Sequence, residues 1–261
     1  VFAILSFLFG ASIGSFVQVV VTRLHVAPIM KTRSKCLSCG EALRAFDLIP
    51  IFSYLFLKGK CRYCKTVYGI SALIVEALYG AVFVALYYFF LQGQSSIFMV
   101  ALLLTYYTLL FATFGVVALY DRMHSYIPVA YLMMYCVLTF LMLMVRYVAE
   151  PTSMVLLAPV IVALPFLLIW IVSKGKALGF GDVLLFLGVG AFFGVAQGIA
   201  VLLLSVWMGA IIGGGMYIVN AVNHDQKKPS NIVPFVPFIV IAFLIVLFTD
   251  IDIFSIASLF A

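Results

Sequence analysis

Eight stretches of the chain, at about 1–22, 71–91, 97–120, 126–145, 154–173, 183–197, 198–219 and 233–249, are apolar almost without interruption. A helix needs roughly 20 such residues to cross a bilayer. The strands of a membrane barrel would be about 10 residues long and alternate apolar with polar; these runs are longer and apolar throughout. The pattern predicts an all-α polytopic membrane protein with about eight transmembrane helices. The sixth run is short and ends in Gly194, so 183–219 reads either as a helical hairpin or as containing a broken helix. The breaks between runs are short except for residues 23–70, which are polar, basic and cysteine-bearing. The chain therefore divides into a first transmembrane helix (1–22), a loop domain (23–70) and a helical core (71–261).

Composition agrees. Of 261 residues, 66% are hydrophobic and 9% charged, against roughly 25% charged in a soluble domain. An ordinary cytosolic enzyme, a disordered chain and a collagen-like fibre are excluded. The formal charge of +6 does not point to nucleic acid, because Lys and Arg in membrane proteins mostly record orientation. Nine of the fifteen basic residues, Arg23, Lys31, Arg33, Lys35, Arg44, Lys58, Lys60, Arg62 and Lys65, fall in 23–70. With eight spans, Arg122, Lys174, Lys176, Lys227 and Lys228 share that side and only Arg146 lies opposite. The asymmetry predicts that the loop is cytoplasmic and both termini are outside. The first span does not read as a cleaved signal peptide, since its basic residues follow the apolar run rather than precede it. Small residues four apart at Gly10/Gly14, Gly190/Gly194 and Gly209/Gly213 predict close helix packing within one bundle rather than dimer faces.

Chemistry enters with the cysteines. Cys36-Leu-Ser-Cys39 and Cys61-Arg-Tyr-Cys64 form two CxxC pairs separated by 21 residues. Each pair presents two thiolates, and together they suit one closed tetrahedral zinc of structural type. A 48-residue basic loop (23–70) has little core of its own, so a metal answers a physical need. Disulfides are disfavoured in a reducing compartment. Cys136, in the fourth run, reads as packing.

The acids are few enough to take singly. Glu41, Asp47, Glu150, Asp225, Asp250 and Asp252 fall in loops, where solvation or capping suffices. Glu76 lies inside the second run, about a turn from its cytoplasmic end. Asp121 ends the third run, and Asp182 follows Gly179-Phe180-Gly181. Two spans separate these aspartates, so the chain returns to the same face between them. Two carboxylates within a few ångströms share a proton: one acts as base on a water while the other polarises a carbonyl, the chemistry of an aspartic protease. The glycines before Asp182 allow close backbone approach by an extended substrate. A capping role explains Asp182 equally well, but not Asp121, which opposes the dipole of its own helix. His25, His124 and His224 also fall on the cytoplasmic side, without a nucleophile in a comparable setting.

With these residues in place, the sequence resembles the bacterial type IV prepilin peptidases, GxGD-type intramembrane aspartic proteases, nearly end to end. The resemblance rests on Gly14-Ser15-Phe16-Val17-Gln18 with Thr22-Arg23-Leu24, both CxxC pairs, Asp47-Leu-Ile-Pro50-Ile-Phe-Ser53-Tyr with Gly59-Lys-Cys61-Arg62, Asp121 with Ile127-Pro128, Gly179-Phe180-Gly181-Asp182, and Pro234-Phe235-Val236-Pro237-Phe238. It implies an enzyme of the bacterial inner membrane, embedded in lipid, that cleaves the leader of type IV prepilins and pseudopilins after a glycine at the cytoplasmic face. It further implies N-methylation of the new terminus with S-adenosylmethionine. Asp121 and Asp182 carry over as the catalytic pair, and Glu76 matches an acidic position associated with methylation. Gln18, Val129, Val236 and Leu184 depart from residues common in the family; Leu184, two after Asp182, stands where Lys is frequent. Two alternatives stay open: a peptidase that does not methylate, and a non-enzymatic protein that docks a pilus or secretion partner through its zinc loop.

Overall fold

A computed structural model describes residues 1–26, 28, 33–36, 38–176, 178–222 and 234–257. Lys31, His224, Asp225, Lys227 and Lys228, used above for orientation, lie outside the described residues. Among those described there are no strands, only isolated antiparallel bridges at Lys35–Ala42 and Lys60–Val67. The chain forms two compact units, residues 1–108 and 109–261.

The first unit pairs α1 (Phe2–Arg23) with α3 (Ser71–Leu86), the latter running on through a π turn at Tyr87–Leu91. The helices are antiparallel: Gln18 Nε2 donates to Ala72 O at 3.2 Å near one end, and Phe2 and Tyr87 stack at the other. Between helices in lipid there is little hydrophobic drive, so contact depends on close van der Waals packing of small residues. Gly10 and Gly14 receive Tyr79 and Phe83, and Gly80 receives Phe7, so close that a Cβ at Gly10 would stand 2.5 Å from Tyr79 O. The first glycine pair thus packs inside the bundle. A short helix α2 (Phe52–Phe56) lies in the intervening loop.

The second unit is built on α5 (Val129–Ala149), α6 (Ser153–Val172), α7 (Phe180–Phe193), α8 (Val195–Val222) and α9 (Val236–Thr249), together with the second half of α4 (Ile97–His124); α10 (Ile253–Ala257) follows. Its centre is aromatic. Phe243 of α9 meets Phe111 and Phe114 of α4 and Phe192 and Phe193 of α7 with ring centroids 4.7–6.3 Å apart. Gly188 of α7 is filled by Tyr135 and Thr139 of α5, and Gly190 by Ala158 and Pro159 of α6. Gly194 separates α7 from α8 with φ +82 and ψ −167, a region that only glycine occupies freely. Arg146 covers this break, donating Nη1 to Phe192 O at 3.0 Å.

Among the described residues, eight helices fall where the eight apolar runs lie, but six are long and apolar enough to cross a membrane by themselves. The others, α7 and α9, have 14 residues each, about 21 Å at 1.5 Å per residue, against a hydrocarbon core of about 30 Å. Eight full spans is therefore too many to read from length alone. The two helices between Asp121 and Asp182, α5 and α6, are both of spanning length.

Candidate active site and metal centre

The two CxxC segments fold as matching knuckles. In the first, Cys36 N–H donates to Glu41 O and Gly40 N–H to Cys36 O; in the second, Cys61 N–H donates to Thr66 O and Lys65 N–H to Cys61 O. The residue after each second cysteine turns left-handed, Gly40 at φ +74 and Lys65 at φ +61. All four sulfurs lie within 4.8 Å of one another, with Cys36 and Cys64 3.8 Å apart. Four sulfurs bound at about 2.3 Å around one tetrahedral ion would be spaced about 3.8 Å, so the donor set and its spacing fit a metal ion. Local backbone prepares it. The N–H groups of Cys39 and Ser38 bring the Cys36 thiol down to about 6, and Tyr68 and the Cys64 N–H lower Cys61. Against the Glu41 N–H, lost hydration and the neighbouring Cys36 and Cys64 thiols raise Cys39 to about 11. A cation removes the repulsion that keeps these sulfurs from all ionising together.

Asp121 lies in the last turn of α4 and Asp182 in the first turn of α7; they are 8% and 9% exposed. Asp182 is the third residue of its helix, an acid in the first turn, as expected of a residue that complements the helix dipole. Asp121 opposes its own helix dipole, yet its Oδ2 accepts the N–H of Val236, the first residue of α9, at 3.3 Å. Each carboxylate therefore sits at the positive N-terminus of one of the two short helices, and the charge of Asp121 acts on Asp182. The two aspartate motifs also pack together: a Cβ on Gly181 would stand 2.8 Å from Ile127 Cδ1. Beside Gly179 there is more room, a Cβ there meeting Asp182 Oδ2 at 3.5 Å. His124 stacks on Tyr120 with centroids 4.2 Å apart.

Glu76 belongs to the other unit. It is 9% exposed, and its Oε2 accepts the Ile51 N–H at 2.7 Å. Ile51 has φ +65 and ψ −53 and is the centre of a γ-turn closed by Phe52 N–H to Pro50 O at 2.6 Å. That conformation is rare and strained, especially for a β-branched residue. Sequence reasoning placed Ile127 and Val236 in motifs without finding their contacts, and missed the Glu76–Ile51 hydrogen bond and Tyr68.

Residues 8–90 match the family described as the bacterial peptidase A24 N-terminal domain, and residues 108–214 match the type IV leader peptidase family. The chain is similar to the prepilin leader peptidase/N-methyltransferase of Aeromonas salmonicida, 28% identical over 280 residues that cover 91% of this chain and 87% of the relative. A protein of the same name from Pseudomonas putida is 27% identical over 276 residues, covering 92% and 88%. One from Myxococcus xanthus is 36% identical over 85 residues, covering 32% and 25%. No solved structure matches the chain significantly.

Proposed function

This chain belongs to the type IV leader peptidase family, and we propose that it cleaves the leader of type IV prepilins and pseudopilins after a glycine, at the cytoplasmic face of the bacterial inner membrane, with Asp121 and Asp182 as the catalytic pair. The observation that carries this reading is a pair of buried carboxylates, each at the N-terminus of one of two short helices and near enough that the charge of Asp121 acts on Asp182. One carboxylate takes a proton from a water held between them; the other, protonated, hydrogen-bonds the scissile carbonyl. The water oxygen bonds to the carbonyl carbon, the C–N bond breaks, and the leaving amine receives a proton from the pair. Val236 N–H fixes Asp121, and Asp182 lies in the first turn of α7, so the backbone dipoles around both carboxylates are in place before the step. The Gly179 backbone is extended, with φ −74 and ψ 145, and its lack of a side chain leaves space beside Asp182 for an extended substrate. Gly181 acts differently, by admitting Ile127.

The second activity is N-methylation of the new terminus. S-adenosylmethionine, as donor, supplies an electrophilic methyl group. Glu76 is the residue assigned to this half-reaction, through its buried carboxylate in the loop unit. Cys36, Cys39, Cys61 and Cys64 hold one structural zinc: the knuckles leave no open coordination position, which suits a folding rather than a catalytic role.

The test is mass spectrometry of a pilin precursor incubated with enzyme and methyl donor. A product shortened at glycine and heavier by one methyl group supports both activities. A shortened, unmethylated product leaves the peptidase alone, and an intact precursor contradicts the reading.

A further inference from the structure

A cavity of about 340 Å³ is walled by the loop and by α1 and α3, with Glu76 among its lining residues. The size falls within the range of small-molecule sites, about 300–1,000 Å³. Its charged groups are unequal. Asp47 is already satisfied: Arg62 Nε donates to Oδ1 at 2.7 Å, and the Arg44 N–H donates to Oδ2 at 3.1 Å. Glu76 has one oxygen engaged by Ile51, and no cation is paired with it among the described residues. A carboxylate buried to this degree is costly unless something compensates its charge. Lys60, also on the lining, is exposed and can meet an anion. Leu48, Leu57 and Leu73 supply apolar wall, and Ser53 and Tyr54 supply hydroxyls.

The complementary ligand is a small zwitterion with a buried cationic centre, a carboxylate, hydroxyls and an apolar face. A peptide N-terminus by itself offers the cation but not the hydroxyls of such a ligand. We propose that this cavity is the S-adenosylmethionine site, with Glu76 facing the sulfonium and Lys60 the carboxylate; the assignment rests on the methyltransferase reading above. Glu76 accepts the Ile51 N–H through one carboxylate oxygen, which fixes its side chain and leaves the other oxygen for the ligand.

Equilibrium binding of radiolabelled S-adenosylmethionine to the full-length protein in detergent tests this, beside methylation of a pre-cleaved pilin peptide. Glu76→Gln keeps an acceptor for Ile51 but removes the charge. It should bind the donor about ten- to a hundred-fold more weakly, while affinity for S-adenosylhomocysteine, which lacks the sulfonium charge, falls less. Ser53→Trp, which fills the cavity, should abolish binding of both. Metal content and protease resistance of residues 23–70 verify that each variant is folded. A wild-type protein that methylates while folded Ser53→Trp binds the donor normally overturns the cavity assignment alone. A wild-type protein that neither binds the donor nor methylates overturns the methyltransferase reading and the assignment with it. Equal losses for donor and product in Glu76→Gln overturn the placement of the sulfonium at Glu76.

Discussion

Ile127 fills the space that a side chain on Gly181 would need: a Cβ there would come 2.8 Å from Ile127 Cδ1. The residue belongs to the segment that follows Asp121, and the glycine directly precedes Asp182. The two aspartate motifs are thus held in register by a packing contact.

Gly181→Ala should therefore displace the Ile127 side chain and, where that cannot fully relax, shift the two aspartate motifs relative to each other. Misplacing catalytic groups by about 1 Å can cost roughly a hundred-fold in rate, so precursor cleavage should fall at least ten-fold. Ile127→Val should restore part of it, giving a coupling energy in a double-mutant cycle. Gly179→Ala meets only ordinary contact in the unliganded protein and should disturb folding less. Additive effects of the Gly181 and Ile127 changes would separate the contact from catalysis.

The metal knuckles give a second expectation. Cys61→Ser removes a buried ligand, so metal content should drop well below one ion per chain and residues 23–70 should become open to protease. Elemental analysis and limited proteolysis read both. Donor binding should fall too, because Tyr68 and Gly59, on the cavity lining, are joined by the N–H of Tyr68 to Gly59 O in the same knuckle. Full protease resistance without metal would contradict the structural role.

Substrate choice should follow room rather than charge, since both the loop and pilin leaders are basic. Replacing the glycine before the cut by leucine should block cleavage, because a substrate laid against the Gly179 backbone would bring that side chain onto the Asp182 carboxylate. Competition of the two precursors in one reaction, followed by mass spectrometry, checks this. Equal cleavage would count against it.

Gly194 should resist substitution for a conformational reason. With φ +82, ψ −167 and Arg146 over it, Gly194→Ala should cost about 1–3 kcal/mol, seen as a lower unfolding temperature in detergent. An unchanged transition would contradict the assigned strain.

The helices were legible because hydrophobic runs of this length have few other solutions in a membrane, and the knuckles because two CxxC pairs constrain each other strongly. The short helix α7 was placed late, at 183 rather than 180, because Gly179-Phe180-Gly181-Asp182 reads as a loop until its N-cap is seen. Other features were not legible. Val236 reaches Asp121 across 115 residues, and nothing in Pro50-Ile51 signals a β-branched residue at positive φ. Asp182 shows the ambiguity best: a first-turn acid and a catalytic acid have the same local sequence, so sequence alone does not choose between them.

Cleavage by Asp121→Asn and Asp182→Asn bears most directly on the shared-proton pair. Each change replaces a carboxyl group by an amide of similar size, so packing and metal content should hold while one ionisable partner is lost. Precursor cleavage, followed by mass spectrometry, should disappear in both variants, whereas methyl transfer to an already cleaved peptide, which depends on positioning rather than on the pair, should persist. If either folded variant still cuts at the glycine at the wild-type rate, Asp121 and Asp182 are not the catalytic pair.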